Sequence, residues 1–458
     1  MSNTDPAPAA AAPEKKTWSV GTLVYDRKGL VILFALLLIT DFVWALRIRA
    51  LGPISQILLK NHGASDLFNS IILVSIPYAL GMFFGPVIGY YSDRCRTRWG
   101  RRIPFILVST PICFLGMIGM ALSKHLTADL QAIWPSLTAD QAALWILGVS
   151  WVIFDLGNLL CSGTFNALIN DVVPHSLLGR FYALFRIISL IVGAAFSWWL
   201  FGYAELHHDV VFGTIAVIYA VGITAMCFCI KEGEYPPAEI GGKGRRSNWV
   251  IAWEYLRNCS TSGYYWLLAA FTITLGFVWV PSQAFVALYA KKLGMPMDTY
   301  GKLAAVSFII SMFLAYPLGW LVDRFHPVRC VGAVTAVFTV FTFAAGFLIK
   351  DTFTFGVAYL MQNVISGCFW TVSSSLNNRL FPRSQFAQFG IVSGTISGLL
   401  HLGFNPLLGW ALDKSGHAYE YTFFLASIFG IATMILFVFF YRKFNEYGGV
   451  KNYQAPEF

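Results

Sequence analysis

Charged side chains are scarce in this chain of 458 residues. Asp, Glu, Lys and Arg together make up 12% of the sequence, whereas hydrophobic residues make up 57%. Soluble domains usually carry about 25% charged residues, so a large part of the usual polar coat is missing. This shortage excludes an array of soluble domains. Together with the mean hydropathy of +0.63, it predicts an integral membrane protein.

Sequence signatures of catalysis are also missing. The chain has no nucleophile–base set, no metal-ligand spacing and no phosphate-binding loop, so we expect no enzyme, no cofactor and no metal ion. The N-terminal tail lacks the apolar core of a cleavable signal peptide. The eight cysteines lie in apolar runs or in connections predicted to be cytoplasmic, so no structural disulfide is expected.

A net charge of +9 raises the question of a nucleic-acid partner. The basic residues, however, cluster in short connections between apolar runs, as the positive-inside rule describes. We therefore expect membrane lipid, and not nucleic acid, around the protein. With both termini inside, the cytoplasmic connections carry about three times as many Lys and Arg as the outer ones. This bias predicts a multi-pass protein of the cytoplasmic (inner) membrane with two cytoplasmic termini.

Twelve apolar runs are long enough to cross the membrane, because about 20 apolar residues in a helix span the hydrocarbon. The predicted fold class is an all-α membrane protein of two six-helix halves. Its predicted parts are a disordered cytoplasmic tail (1–28), a six-helix bundle (29–230), a cytoplasmic linker (231–260) in which Trp249–Arg257 could form an interfacial helix, a second six-helix bundle (261–443) and a cytoplasmic tail (444–458). The runs centre near Leu38, Ala79, Leu115, Asp155, Val192, Val221, Leu275, Met312, Val340, Val364, Leu399 and Ile431.

An internal repeat supports the division into halves. Gly85-Pro-Val-Ile-Gly89-Tyr-Tyr-Ser-Asp93-Arg94 follows the second run, and Pro317-Leu-Gly319-Trp-Leu-Val-Asp323-Arg324 follows the eighth. Gly85 and Gly89 predict a close approach between helices, and the charged residues predict a latch at the cytoplasmic face. The predicted gate comprises Gly85, Gly89, Asp93, Arg94, Arg101, Arg102, Asp171, Arg180, Asp323 and Arg324. A similar Gly409-x-x-x-Asp413-Lys414 match falls on the outer side and is interpreted as a coincidence.

Ionisable residues inside apolar runs are candidates for function, because a charge at the bilayer centre costs about 3 kcal/mol or more. Asp155 lies near the middle of the fourth run, where apolar neighbours favour a neutral carboxyl group. Asn158 follows three residues later, close to the same helix face. We predict a proton or substrate site at Asp155 and Asn158. A polar clamp between helices is the alternative interpretation.

Further polar residues are predicted to face the same central site. In the first run these are Asp41 and Arg47, whereas Arg49 is interfacial and Arg186 belongs to a gate or an ion pair. Sugars are bound by hydrogen bonds to their hydroxyl groups with an aromatic plate alongside. This chemistry makes Gln283, Asn363 and Trp370 candidates in the second half. Asn377, His401 and Asn405 share the pattern, and for each of the six the alternative is a structural role.

The segment from Gly85 to Ile106, together with Phe154-Asp155-Leu-Gly-Asn158, resembles the sucrose–proton symporters of plants and their animal relatives. These belong with the glycoside–pentoside–hexuronide symporters of the major facilitator superfamily. The resemblance implies the major facilitator fold, and it implies that Asp155 carries the coupling proton and contacts the sugar. Melibiose-type sodium symporters place Asp residues where this chain has Gly81 and Gly85. The proton is therefore the expected coupling ion.

The sequence thus predicts a secondary active transporter that couples a proton to a sugar or glycoside by alternating access and works as a monomer. Arg47 and Arg49 leave uptake of a uronate or another anionic glycoside as an alternative, because arginine binds carboxylates bidentately. A facilitator or exporter of another small molecule on the same fold is a second alternative. A membrane sensor that binds sugar without moving it is a third.

Overall fold

The computed structural model describes residues 17–234, 263–374, 376–381 and 386–456. Within these residues the chain is mostly helical, and its one sheet is a hairpin of β1 (Trp18–Val20) and antiparallel β2 (Leu23–Tyr25). The first-half helices are α1 (Arg27–Asn61), α2 (Asp66–Ser70), α3 (Ile76–Arg94), α4 (Ile103–Ala121), α5 (Ser123–Ile133), α6 (Ala139–Val172), α7 (Leu178–Ala195), α8 (Phe201–Leu206) and α9 (His208–Cys229). One π-helical turn, Ile71–Ser75, joins α2 to α3, and another, Phe196–Leu200, joins α7 to α8.

The second half has the same kind of construction. Its helices are α10 (Gly263–Phe277), α11 (Val280–Ala284), α12 (Val286–Lys292), α13 (Met297–Phe325), α14 (Pro327–Leu348), α15 (Thr352–Ser373), α16 (Leu376–Leu380), α17 (Phe386–Lys414), α18 (Glu420–Glu446) and α19 (Gly449–Asn452). Ten helical segments of the described chain are long and apolar enough to cross a membrane. Two further long helices, α15 and α17, have 22 and 29 residues. Every predicted run centre lies inside one of these segments.

The helix that carries Asp155 is held by close packing of α6 against α4. A Cβ atom at Gly116 would lie 2.4 Å from the backbone nitrogen of Phe154, and one at Gly157 would lie 2.7 Å from that of Cys113. No side chain fits at either position, so glycine lets the two backbones touch. Close backbone packing of this kind leaves α6 little freedom to shift. This packing fixes the position of the Asp155 side chain along the axis of the bundle.

The two halves touch at the end of the bundle that lies away from the chain termini, which we call the far end. There α2 and its π-turn pack on α17, where a Cβ atom at Gly409 would lie 2.5 Å from the Asp66 carbonyl oxygen. The second π-turn packs on α13, where a Cβ atom at Gly301 would lie 2.3 Å from the Ser197 carbonyl oxygen. Toward the other end, the terminal end, no atom of the residues that the structure describes lies within 4 Å of the Cβ position of Gly319 on α13. The halves are thus closed at the far end and diverge toward the termini.

The predicted disordered tail over 1–28 is wrong for residues 18–28, which form the hairpin and the start of α1. Apolar residues alternate around a turn in which Gly21 adopts a left-handed φ of +53°, and this pattern forms a hairpin. The backbone N–H of Glu234 donates to the Thr22 hydroxyl at 2.8 Å, which ties the hairpin to the end of α9. The first long helix also begins at Arg27 and not at 29, because the Asp26 side chain accepts from the Gly29 backbone N–H. The interfacial helix suggested for Trp249–Arg257 lies outside the described residues.

The C-terminal segment predicted as a tail over 444–458 continues as structure. Helix α18 runs to Glu446, and the Tyr453 hydroxyl donates to the Leu380 carbonyl at 2.9 Å. The Tyr264 and Tyr453 hydroxyls are 2.7 Å apart. These contacts hold the chain end against the second half. Helix α5, which the sequence analysis did not predict, lies between α4 and α6 at the far end.

Candidate functional site

A cavity of about 410 Å³ lies between α3, α6 and α17, where both halves contribute walls. Its polar lining comes from Tyr78 of α3, from Asp155, Asn158 and Ser162 of α6, and from Thr395 of α17. The three α6 residues are spaced by three and four positions, which places them on one helix face. The remaining walls are apolar side chains and glycines. Ligand pockets for small molecules usually measure about 300–1,000 Å³ and are mostly apolar with a few polar groups, and this cavity has that character.

The carboxyl group of Asp155 is linked to a buried cation through one amide. The Asn158 Nδ2 donates to Asp155 Oδ1 at 3.2 Å, and Asn158 Oδ1 accepts from Arg47 Nη2 at 2.9 Å. Because the guanidinium can only donate, it fixes which end of the amide faces Asp155. Asp155 is only 8% exposed although it lines the cavity. Asp155 and Asn158, which were predicted to lie close to one helix face, are hydrogen-bonded to each other, and Arg47 is the third member of this group.

Arg47 lies behind the cavity wall. It is 1% exposed, and its guanidinium carbon lies 4.2 Å from the Trp44 ring centroid, 5.1 Å from that of Phe154 and 5.3 Å from that of Tyr219. Its Nε and Nη1 atoms have no hydrogen-bond partner among the described residues. Arg47 thus reaches the cavity only through Asn158. The expectation that it contacts a substrate directly does not match its position in this state.

The remaining central candidates do not line this cavity. Asp41 is 1% exposed, and its Oδ2 atom finds no partner within the described parts of the chain. Gln283 Nε2 donates to the Ser366 hydroxyl at 2.9 Å, and Asn363 Nδ2 donates to the Tyr359 carbonyl at 2.8 Å. Trp370 is 57% exposed elsewhere on α15. For Gln283 and Asn363 these contacts match the structural alternative raised from the sequence.

The charged residues after α3 form an ion-pair cluster inside the first half. Arg101 binds Asp171 with Nη2 to Oδ1 at 2.6 Å and Nε to Oδ2 at 3.1 Å. Arg102 bridges Asp171 and Asp93, with Nη2 2.6 Å from Asp93 Oδ1. The cluster therefore ties α3, α4 and α6 together at the terminal end. That it latches one transport state stays a prediction.

A carboxylate that the sequence analysis did not single out completes this cluster. Glu232 accepts from the backbone N–H groups of Arg101, Arg102 and Ile103 at 2.8–2.9 Å, so it caps the start of α4. Gly100, at φ +109°, makes room for it, since a Cβ atom there would lie 2.4 Å from the Glu232 carboxyl carbon. A carboxylate at a helix N-terminus is electrostatically favourable. The segment after α9 is anchored in this way to the charged loop.

Other predicted gate residues have separate surroundings. The close approach predicted at Gly85 and Gly89 is not observed in this structure, since no atom of the described residues lies within 4 Å of either Cβ position. The physical reason is the divergence of the halves toward the terminal end. Arg94 lies over the Tyr90 ring at 3.8 Å. Arg180 is exposed on α7, with no ion pair among the described residues.

The second copy of the motif also pairs within its own half. Asp323 Oδ1 lies 3.0 Å from Arg379 Nη2, and both side chains are largely exposed. The Arg324 guanidinium lies 5.1 Å from the Trp320 ring centroid. Exposed pairs of this kind contribute about 0–1 kcal/mol. The ion pairs of the two halves therefore lie in corresponding places, but the exposed pair of the second half contributes less to stability.

A cluster of polar contacts between the halves lies at the far end, around Asp66. The Asp413 carboxylate accepts from the backbone N–H groups of Asp66 and Leu67 at 2.8 and 2.9 Å. Asp66 Oδ1 accepts from Lys60 Nζ at 2.8 Å and from the Tyr419 hydroxyl at 3.0 Å. We call Lys60, Asp66, Asp413, His417 and Tyr419 the far-end latch. The Gly409–Asp413 match, which was interpreted as a coincidence, thus supplies both the tight contact and a charged member of this latch.

His417 closes the latch from the second half. Its Nδ1 lies 2.6 Å from Asp66 Oδ2, and Asp66 is fully buried. Burial, and secondarily the Asp66 charge, raises the pKa of Tyr419 above its usual range, so its hydroxyl stays a donor. The ligand atoms of Asp66, Asp413 and His417 lie within 4.8 Å of one another, as in a metal site. The Lys60 ammonium, however, already binds Asp66, so these residues form an ion-pair latch.

Known proteins resemble parts of this chain in sequence. Residues 66–386 match the family model described as MFS/sugar transport protein. Solute carrier family 45 member 4 of Mus musculus is 29% identical over 214 residues, which cover 44% of this chain and 26% of that protein. Sucrose transport protein SUT5 of Oryza sativa subsp. indica is 30% identical over 172 residues, which cover 34% of this chain and 31% of that protein. The match thus spans about a third or less of the length of these relatives.

Solved structures share the fold along most of the chain. The crystal structure of a D-xylose-proton symporter superimposes with a TM-score of 0.60 at 13% identity and covers 89% of this chain and 96% of its own. That of a POT family transporter in complex with a thioalcohol-conjugated peptide gives a TM-score of 0.64 at 12% identity, over 90% of this chain and 96% of its own. Identities this low show the fold alone. The fold, the apolar helices and the match over 66–386 confirm the predicted superfamily, and the chain is a member of the MFS/sugar transport protein family.

Proposed function

We propose that this protein is a secondary active transporter that couples proton entry to uptake of a neutral sugar or glycoside. The observation that carries the proposal is the Asp155 carboxyl group, which lies in the wall of the cavity between the halves and is hydrogen-bonded to Asn158. A carboxyl group in an apolar wall can bind and release a proton as its surroundings change. Amide and hydroxyl groups beside it suit the hydroxyls of a sugar. The names of the relatives, which include a sucrose transport protein, support the same substrate class.

Transport requires the cavity to face each side of the membrane in turn. In this structure the halves are closed at the far end and diverge at the terminal end, which corresponds to one of the two facing states. We propose twelve membrane crossings, with both termini cytoplasmic and the chain in the cytoplasmic membrane, so this state faces inward. A proton binds at Asp155 and a sugar binds beside it. Rocking of the two halves then carries the proton and the sugar inward. One charge moving through 100 mV supplies about 2.3 kcal/mol, which is enough for roughly 50-fold accumulation.

The lining of the cavity favours a neutral substrate over an anionic one. Its described residues include Asp155 but no Lys or Arg. Arg47, which suggested a uronate from the sequence, is 1% exposed behind the wall. A carboxylate in this cavity would therefore have no direct cationic partner among the described lining residues.

The test is charge movement by the purified protein in proteoliposomes on solid-supported membranes. Sucrose, maltose, other neutral glycosides and hexuronates are added in turn under an inward proton gradient. We expect a neutral sugar to evoke an inward current that Asp155→Asn abolishes. Asp140→Asn is the matched control, because Asp140 is an exposed carboxylate on the same helix. Silence of the wild type across the panel, or a current that survives Asp155→Asn, contradicts the proposal.

A further inference from the structure

Three aromatic rings form a continuous stack across the seam between the two halves. The Tyr78 ring of α3 lies parallel to the His401 imidazole of α17, with centroids 4.4 Å apart and 4° between the planes. The Phe277 ring of α10 covers the imidazole from the other side at 4.6 Å and 27°. Tyr78 belongs to the first half, and the other two rings belong to the second. The stack thus lies between the cavity and the far-end latch.

The middle ring of the stack is fixed in place and in tautomer. Asn405 Nδ2 lies 3.1 Å from His401 Nδ1, and the same amide nitrogen donates to the His401 carbonyl at 2.9 Å. An amide nitrogen donates and does not accept, so Nδ1 is the acceptor and the ring proton lies on Nε2. Asn405 is 2% exposed and His401 is 9% exposed. The imidazole is therefore a rigid, neutral backing plate.

The outer ring of the stack belongs to the cavity. Tyr78 lines it together with Asp155 and Asn158 and is 39% exposed, although His401 covers one of its faces. The predicted aromatic plate, Trp370, does not line the cavity. Among the described lining residues Tyr78 is the aromatic one. Its uncovered surface is thus offered to a bound molecule opposite the polar face of α6.

We propose that Tyr78 is the aromatic platform on which the sugar ring of the substrate stacks, and that His401 is a positioning residue that holds this platform. The C–H groups on one face of a sugar ring pack well on an aromatic ring, while its hydroxyls at the rim reach the Asp155 and Asn158 side chains. Because His401 and Phe277 come from the other half, the rings that support Tyr78 span the seam between the halves in this state. The inference rests on the proposed function and adds the group that selects for a sugar ring.

The test compares matched pairs of variants in the same current assay. Tyr78→Leu removes the aromatic surface, and we expect the half-saturating sugar concentration to rise by about tenfold or more, with the maximal current retained. Tyr78→Phe keeps the ring and is expected to stay within about twofold of wild type. His401→Ala removes the backing plate and is expected to raise half-saturation severalfold, and His401→Phe, which restores a ring, is expected to reverse most of that rise.

The outcomes separate this inference from the proposed function. Equal half-saturation for wild type and Tyr78→Leu overturns the platform, even when the wild type transports sugar normally. A lower maximal current with unchanged half-saturation also overturns it, because that pattern indicates a structural role. If Tyr78→Leu does not elute as a folded protein, the His401 pair decides between these results. A wild type that is silent to every sugar overturns the proposed function, and the platform with it.

Discussion

Arg47 is a buried cation that donates to Asn158, and its Nε and Nη1 atoms find no partner in the described parts of the chain. Three aromatic rings surround its guanidinium, and such contacts offset part of the cost of removing the charge from water. Replacing a buried ionic group by an apolar residue of similar volume is often neutral or stabilising. The persistence of a charge here therefore indicates a role beyond packing. The hydrogen bond to Asn158 suggests that the role is to aim the amide at Asp155.

We predict that Arg47→Met retains thermal stability within a few degrees in detergent but lowers sugar-evoked current by about tenfold or more. The reason is that the Asn158 amide becomes free to turn, and one hydrogen bond to a charged group contributes about 1.5–3 kcal/mol. Unfolding temperature and current are measured on the same preparations. Arg49→Met is the comparison, because Arg49 lies on the same helix over the Phe308 ring. Normal transport by Arg47→Met would show that the guanidinium is dispensable.

Residues of the site differ in how far the sequence could reveal them. Asp155 and Asn158 were predictable, because a charge and an amide on one face of an apolar helix are conspicuous. Ser162 lies one turn further along that face and could have been added by the same spacing. Tyr78 was not predictable, since an aromatic residue in an apolar run carries no signal until its neighbours are known. Asp413 repeats a spacing that carries meaning only once Asp66 is seen across the seam.

At the scale of helices, the far end is closed by two similar joints. Gly301 of α13 meets the π-helical turn Phe196–Leu200, and Gly409 of α17 meets the backbone of α2 just before the π-helical turn Ile71–Ser75. Single π-turns inside α-helices are frequent at functional sites. Because the Cβ positions at both glycines are filled by backbone atoms, neither joint can close over a larger residue. The joints therefore control whether this state forms at all.

Gly301→Ala is predicted to shift the protein away from the state closed at the far end by about tenfold or more, since overpacking costs about 1–3 kcal/mol. Spin labels at Lys124 and Lys350, which are exposed at the far end in opposite halves, report the change by pulsed electron resonance in a cysteine-free background. We expect the distance distribution to move toward longer values. Gly319→Ala on the same helix has open space at its Cβ position and leaves the distribution unchanged. Identical distributions for the two variants would contradict the joint.

The long helices were predictable because runs of about 20 apolar residues define them independently of any partner. The π-turns were not, because a one-residue change of hydrogen bonding leaves no mark in hydropathy. The close approach expected at Gly85 and Gly89 failed for a related reason. Small residues indicate where helices can meet, whereas the conformational state decides whether they do.

At the scale of the whole molecule, the two ends differ in whether they let water-soluble reagents reach the cavity. The cavity that contains Ser162 lies on the terminal side of the aromatic stack. The far-end latch and both glycine joints lie on the other side. Reagents in water therefore reach the cavity from the terminal end and are blocked from the far end in this state.

We predict that Ser162→Cys, in a cysteine-free background, reacts with a membrane-impermeant maleimide several times faster from the cytoplasmic face than from the outer face. Inside-out and right-side-out vesicles provide the two directions, and mass spectrometry measures the labelled fraction. Adding Asp413→Ala removes both acceptors of the α2 backbone N–H groups, so outer-face labelling is expected to increase. His125→Cys, at an exposed far-end position, serves as the sidedness control. Faster labelling of Ser162→Cys from the outer face would reverse the assigned orientation.

The π-helical turn at Ile71–Ser75 also sets the direction, about the helix axis, in which the side chains of α2 point. Successive residues of an α-helix are turned by about 100°, and a π-turn accommodates one residue more than an α-helical turn would. Without that extra residue, Asp66 would point about 100° away from Asp413, and the cap on α2 would be lost. The side chains before the π-helical turn therefore point about 100° away from the directions that an uninterrupted α-helix would give them. An alignment that forbids a one-residue gap there will compare the wrong faces of this helix with its relatives.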